Sequence, residues 1–354
     1  MNASSLAVAA EPRFTLPDDL AAAEPPEARG LARDDVRMLV GSPHGVEHAS
    51  FRDLGRFLRP GDLLVVNTSA TIAAAVDGTL GARRVVAHFS APLEDGSWIV
   101  ELRTADAKRP FLAAAAGERV ELPGSVRVTL LAPHPNSATP GRTRLWVGRV
   151  GVEASVAEYL ARFGRPITYG YLRGRWPLSA YQTIFGREPG SAEMPSAGRP
   201  FTRRLLTELI TSGVAVAPVL LHCGVSSLEE GEPSQPERFR VPEATARLVN
   251  LTRDAGRRVV AVGTTVARAL ETVAQLDGGV VPGEGWTDLV LGPDRPARTV
   301  DGLITGWHGP DAPHLDLLEA VAGHDLVNEA YETALETRYL WHEFGDSALF
   351  LPER

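Results

Sequence analysis

The chain has 354 residues, 44% hydrophobic and 23% charged, with 36 basic against 44 acidic side chains and a formal net charge of -8. That balance excludes wholesale disorder and speaks against a nonspecific nucleic-acid coat, which carries a basic excess, while leaving room for a local basic patch. The single cysteine, Cys223, excludes an internal disulfide and a cysteine metal cage. Residues 1–10 lack the basic leader and sustained apolar core of a secretory signal, and no run approaches the roughly 20 apolar residues of a membrane span. The expectation is a soluble, cytoplasmic protein.

Residues 11–35, with Phe14-Thr15-Leu16-Pro17 and an Ala/Pro/Glu stretch, predict an irregular arm along the surface. Arg37-Met38-Leu39-Val40 reads as a short strand, and a helix is expected from about Arg52 to Leu58. Pro60-Gly61 then turns the chain into Asp62-Leu63-Leu64-Val65-Val66-Asn67. A continuous apolar run of that length fits a strand buried on both faces, and its tip, Asn67-Thr68-Ser69, puts polar groups at a usual ligand address. From Ile72 to about Val150 short β-type runs alternate with Gly, Pro and Asp turns: Arg84 to Phe89, Trp98 to Leu102, Ser125 to Leu130 and Arg144 to Val147. Strands at this spacing without helices between them predict a small barrel or sandwich.

A short helix is expected over 153–163, followed by the aromatic-rich approach Tyr169-Gly170-Tyr171. From Tyr181 to Thr202 the chain is rich in Gly, Pro and hydroxyls, which favour turns and close backbone approach to a ligand. Thr202 is placed to cap a helix beginning near Arg203, whose Leu205, Leu206, Leu209 and Ile210 fall on one face. Ala215 to His222 reads as a second buried strand, Glu229 to Glu237 as an exposed loop, and Pro242 to Asp254 as a helix. Arg258 to Gly263 is a third buried strand, with Thr264-Thr265 opening a helix through Val273, a geometry whose N–H groups suit an anion. Leu289 to Leu291 and Asp301 to Thr305 read as strands, and Leu315 to Ala322 and Leu326 to Leu340 as closing helices. Together these predict a larger mixed α/β domain, residues 1–71 and 152–354, interrupted by a smaller all-β, barrel-like domain over 72–151.

The run Tyr181-Gln182-Thr183, with Glu188-Pro189-Gly190-Ser191 and Pro195-Ser196-Ala197-Gly198-x-x-Phe201-Thr202, resembles the signature of the S-adenosylmethionine:tRNA ribosyltransferase-isomerase family of queuosine biosynthesis. The resemblance is collinear across nearly the whole chain. It continues in Phe51-Arg52-Asp53-Leu54, Pro60 to Asn67, Leu221-His222-x-Gly224, and Val262-Gly263-Thr264-Thr265-x-x-Arg268-x-Leu270-Glu271. Val300 to Thr305 with His308 and Pro310, and finally Gly345-Asp346, complete it. Departures fall at Asn67-Thr68-Ser69-Ala70, Arg199-Pro200, Ser234-Gln235-Pro236-Glu237, Gly306 to Ala312 and Tyr339-Leu340-Trp341, where polar groups of the family pattern are missing.

The resemblance implies an enzyme that uses S-adenosylmethionine as a ribosyl donor. It would release adenine and methionine and build an epoxycyclopentane on the 7-aminomethyl-7-deazaguanine base of tRNA, giving epoxyqueuosine. Such a site binds the methionine end, holds the adenine, removes a proton beside the sulfonium and stabilises the departing purine. Tyr181, Gln182, Thr183, Ser196, Ala197, Gly198, Gly263, Thr264, Thr265 and Thr305 are the expected donor contacts. Arg268 is expected to pair either with the donor carboxylate or with Glu271. His308 and His222, whose imidazoles titrate near neutrality, are the expected proton-transfer groups, with Glu237 and Asp346 as further candidates. No metal is expected, and a monomer is favoured. The departures keep two alternatives open: a relative that cleaves S-adenosylmethionine or passes its ribosyl part to a small molecule, and a noncatalytic protein that binds it.

Overall fold

In the computed structural model, which describes residues 13–135, 143–153, 155–225, 235–310 and 312–353, the apolar run Leu63–Asn67 lies inside a nine-stranded sheet. Residues 1–12, the stretch Glu229 to Ser234 of the expected loop, and Asp311 lie outside the described residues. Across the sheet the strands run Gly283–Thr287, Glu237–Val241, Ala215–Leu221, Leu63–Asn67, Val259–Val262, Gly302–Gly306, Ser347–Phe350, Arg37–Ser42 and Gly45–Ser50. Leu63–Asn67 pairs in parallel with Ala215–Leu221 and with Val259–Val262, which in turn pairs in parallel with Gly302–Gly306. Four carboxyl ends therefore share one edge, the position at which open α/β sheets bind ligands.

All five residues of Leu63–Asn67 are buried because the sheet is covered on both faces. Leu63 and Val65 pack with Val249, Val266, Leu270, Leu318 and Tyr331 of the helices Glu243–Asp254, Thr264–Thr272, His314–Ala322 and His324–Glu336. Leu64 and Val66 pack on the other side with Phe51, Phe201, Leu205 and Leu209. Thr202 caps the helix Arg203–Thr211 as expected, its hydroxyl accepting from Leu205 N at 3.1 Å. Among the described residues no helix is long and apolar enough to cross a membrane.

The expected β-texture closes into a six-stranded antiparallel barrel, in the order Leu145–Val150, Trp98–Thr104, Arg83–Pro92, Ala75–Leu80, Arg119–Leu122 and Val126–His134. Val85, Ala87, Phe89, Val100, Leu102, Val128 and Trp146 fill its interior. Strand alternation sends Val86, His88, Glu101 and Arg103 outward. That outer face is buried too: Val86 packs with Ile167, Ala192 and Val225 of the α/β part. Where the chain returns from the barrel, Ala75 and Arg165 exchange backbone hydrogen bonds of 2.9 Å. A Cβ on Gly164 would lie 2.0 Å from the carbonyl oxygen of Ala73. Gly164→Ala must push two main chains apart, and a destabilisation of about 1–3 kcal/mol is expected in denaturant melts. An unchanged midpoint would show that the crossing is not tight.

Several sequence expectations are corrected. The helix expected from Arg52 is a 3-10 segment, Phe51–Arg56. Leu289 to Leu291 is not a strand. The sheet's outermost strand lies earlier, at Gly283–Thr287, where an edge position removes the need for an apolar run. Glu237 opens a strand instead of closing the loop. The last helix ends at Glu336, not Leu340, because Arg338 turns left-handed at φ 56°.

Candidate active site

Asn67 welds the shared edge together. Its Nδ2 donates to Leu221 O at 2.8 Å and to Thr265 Oγ1 at 3.2 Å, and its Oδ1 accepts from the amides of Leu221 and Ser69, each at 3.0 Å. One buried amide thus ties two strand ends to the start of the helix Thr264–Thr272. Before that helix stands Gly263 at φ 101°, a left-handed conformation that favours glycine, with its N–H donating to Ile304 O at 2.8 Å. A Cβ there would sit 3.3 Å from that of Ala197, so the turn Ser196–Gly198 lies against the helix start. The positive end of the helix dipole faces this region.

Ser196 and Ala197 line one cleft together with Gly306, His342, Glu343 and Asp346. At the end of Gly302–Gly306, Thr305 Oγ1 bonds His308 Nε2 at 3.0 Å, and the His308 ring stacks on His314 at 4.4 Å and 7°. Burial, with His314 and His342 nearby, holds His308 well below the usual imidazole range. Burial takes His314 down to about 4, with Arg268 adding to it, and takes His342 to about 4 as well. All three imidazoles are therefore neutral at pH 7. His342 in turn stacks on Tyr171 at 4.2 Å and 17°.

The carboxyl groups answer in the opposite direction. Burial pushes Glu343 up to about 7 even though the Tyr171 hydroxyl donates to it. Burial also raises Glu237, against the opposing charge of Arg268. Of the two pairings expected for Arg268, the one with Glu271 is not made. Its Nη1 bonds Glu237, while Nε and Nη2 donate to the carbonyls of Leu289 (3.1 Å) and Thr287 (3.2 Å). Glu271 is fully buried instead and accepts from the amides of Arg298, Thr299 and Val300. An i,i+3 ion pair needs a carboxylate that faces outward, and this one faces in.

His222 belongs to a different cluster from His308. Its Nδ1 bonds Ser69 Oγ at 2.7 Å, Ser69 bonds Ser191 Oγ at 2.6 Å, and Ser191 accepts from Cys223 N at 2.9 Å. A Cβ on Gly190 would fall 2.4 Å from the His222 ring, so the imidazole lies directly on that glycine. Burial and the charge of Arg238 lower its pKa.

Among the expected donor contacts, Gln182 clamps the main chain of Thr71, donating to its carbonyl at 2.7 Å and accepting from its amide at 3.2 Å. Thr183 accepts from Phe185 N at 3.2 Å. Tyr181 packs on Phe344 at 5.1 Å, and its hydroxyl has no hydrogen-bond partner among the described residues. Asp346 uses both oxygens on backbone amides, Arg37 N at 2.9 Å and Leu340 N at 2.8 Å, and so braces the cleft wall. Sequence reasoning passed over Glu193, His314, His342 and Glu343. The nearest signals were the Tyr169-Gly170-Tyr171 approach and the Gly345-Asp346 block beside them. Among the described residues no three His, Cys, Asp or Glu side chains gather as a metal site.

A family model described as queuosine biosynthesis protein matches residues 10–350. The S-adenosylmethionine:tRNA ribosyltransferase-isomerase of Symbiobacterium thermophilum is 36% identical over 96% of this chain and 98% of its own length. A protein of the same name from Thermus thermophilus is 34% identical over the same shares. Among solved structures, the crystal structure of S-adenosylmethionine tRNA ribosyltransferase from Thermotoga maritima is similar with a TM-score of 0.52 and 29% identity. That match covers 95% of this chain and 98% of that one.

Proposed function

The chain belongs to the family of queuosine biosynthesis proteins, and from that premise we propose that it is an S-adenosylmethionine:tRNA ribosyltransferase-isomerase. The donor is S-adenosylmethionine and the acceptor the 7-aminomethyl-7-deazaguanine base of tRNA. Adenine and methionine leave. The observation that carries this reading is the extent of the similarity: the family match over residues 10–350 takes in every segment that builds the cleft.

The residues present suit the chemistry. The start of the helix Thr264–Thr272, with the Ser196–Gly198 turn against it, offers N–H and hydroxyl donors to the carboxylate of the methionine end. His308 is the proton-transfer group. Its neutral imidazole accepts the proton beside the sulfonium, and Thr305 fixes the ring's orientation through Nε2. Nδ1 takes no hydrogen bond among the described residues and is the nitrogen open to that proton. Glu237 and Asp346 act by positioning, the first through Arg268 and the second through the backbone of the cleft wall. His222, through Ser69 and Ser191, holds the loop that carries the expected signature.

The test is adenine release, followed by chromatography, with S-adenosylmethionine and with or without tRNA bearing the deazaguanine base. Adenine is expected only when both are present. Release without tRNA would overturn the acceptor assignment, and no release with both would overturn the reaction.

A further inference from the structure

The turn from Leu340 to Asp346 is unusually constrained. Leu340 N donates to the Asp346 carboxylate and Asp346 N returns to Leu340 O, both at 2.8 Å, while Gly345 N donates to His342 O at 2.9 Å. A Cβ on Gly345 would come 2.3 Å from Leu340 O. Within this turn His342 stands at φ 71°, a conformation a non-glycine residue adopts at a cost. Its product is placement: the His342 ring lies on Tyr171, and Glu343 stands at the tip of the turn in the cleft shared with Ser196, Ala197 and Gly306.

Glu343 makes no ion pair among the described residues. Its one side-chain partner there is the Tyr171 hydroxyl. Tyr169 and Tyr171 lie 6.2 Å apart at 25°, and the Tyr169 hydroxyl donates to Glu193 in the same manner. Tyr181, only 3% exposed, brings a hydroxyl without a partner close enough to Glu343 to feel its charge. An acid is thus held on a stiff turn with an unanswered donor next to it and no ion pair of its own among the described residues, while Arg33 and Arg199 of the same cleft are both engaged by Glu27. Burial pushes this carboxyl up to about 7, and the charge of an arriving cation opposes that effect by favouring the ionised form. A positive ligand centre meets Coulomb attraction from the carboxylate.

We propose that Glu343, held by Tyr171, recognises the sulfonium centre of the donor and so distinguishes S-adenosylmethionine from uncharged thioethers of the same shape. This rests on the donor reading above. S-adenosylhomocysteine is the matched probe, because it keeps the adenosine, ammonium and carboxylate and lacks only the sulfonium charge.

Calorimetric titration of the full chain with both compounds tests it. The unaltered protein should bind S-adenosylmethionine about tenfold or more tighter than S-adenosylhomocysteine. In Glu343→Gln the first affinity should fall about tenfold while the second stays within about twofold, so the discrimination disappears. Tyr171→Phe should reduce it in the same direction. It carries the test should Glu343→Gln fail to fold, and an unchanged ratio there would overturn the proposal. A Glu343→Gln protein that still discriminates overturns this inference and leaves the donor reading intact. An unaltered protein that binds neither compound overturns both.

Discussion

Replacing His308 by alanine is expected to lower donor turnover by about a hundredfold to ten-thousandfold, the range general acid–base catalysis contributes, with donor binding held within about twofold. The imidazole sits at the carboxyl end of Gly302–Gly306, is oriented by Thr305 at 3.0 Å and is braced by His314. Its contribution to folding is small by comparison. Trp341 Nε1 bonds the His308 backbone carbonyl at 3.0 Å, a contact alanine keeps. Since burial holds this imidazole well below its ordinary range, the neutral base persists in mild acid, and the acid limb of kcat should lie below that of an ordinary histidine. Single-turnover adenine release across pH measures both effects. Turnover within about threefold of the unaltered protein would remove His308 from the chemistry.

Glu101→Ala is expected to be the most destabilising single change in the seam between barrel and sheet. Glu101 is fully buried, with His88 Nδ1 on Oε2 and the guanidinium groups of Arg103 and Arg144 on Oε1, each at 2.9 Å. Burial alone would raise its carboxyl. The hydrogen bond and charge of His88, with the charges of Arg144 and Arg103, override burial and hold the group at about 2. Removing it strands buried positive charge, a loss of about 3–5 kcal/mol. The sign with pH follows: a carboxyl held below its unfolded value stabilises the fold above about 4.5 and loses that contribution as pH falls through about 2. The gap between unaltered and Glu101→Ala proteins in denaturant melts should therefore be full at pH 7 and shrink in acid. A gap independent of pH would contradict it. The same substitution reaches towards the cleft, because Arg103 lies 5.5 Å over the ring of Tyr169, which stacks on the Tyr171 that holds Glu343.

What the sequence made legible follows from which forces are local. Leu63–Asn67 announced itself because a strand covered on both faces must be apolar at every position. Gly263-Thr264-Thr265 was legible for a similar reason, since a strand, a left-handed glycine and a helix start occur within one stretch of chain. The barrel showed in its texture, but Ala75–Leu80 and Arg119–Leu122 did not. Asp77, Gly78 and Thr79 break the apolar pattern of the first, and the second is only four residues long. Gly283–Thr287 was hidden by its edge position, and the more apolar Leu289 to Leu291 drew the assignment instead. The site itself was half legible. Its floor lies in contiguous motifs, whereas the wall of Glu193, His314, His342 and Glu343 comes from three distant segments that only packing brings together. Arg268 illustrates the limit: spacing along the helix offered Glu271, and the fold supplied Glu237 from 31 residues away.

The most direct measurement uses S-adenosylmethionine labelled with carbon-13 in its ribosyl group, incubated with the protein and tRNA bearing the 7-aminomethyl-7-deazaguanine base. The tRNA is then digested and its nucleosides are weighed by mass spectrometry. The account predicts that the deazaguanine nucleoside gains the labelled ribosyl-derived unit in step with adenine release. An unlabelled nucleoside beside free adenine, or beside a labelled small molecule, would contradict it.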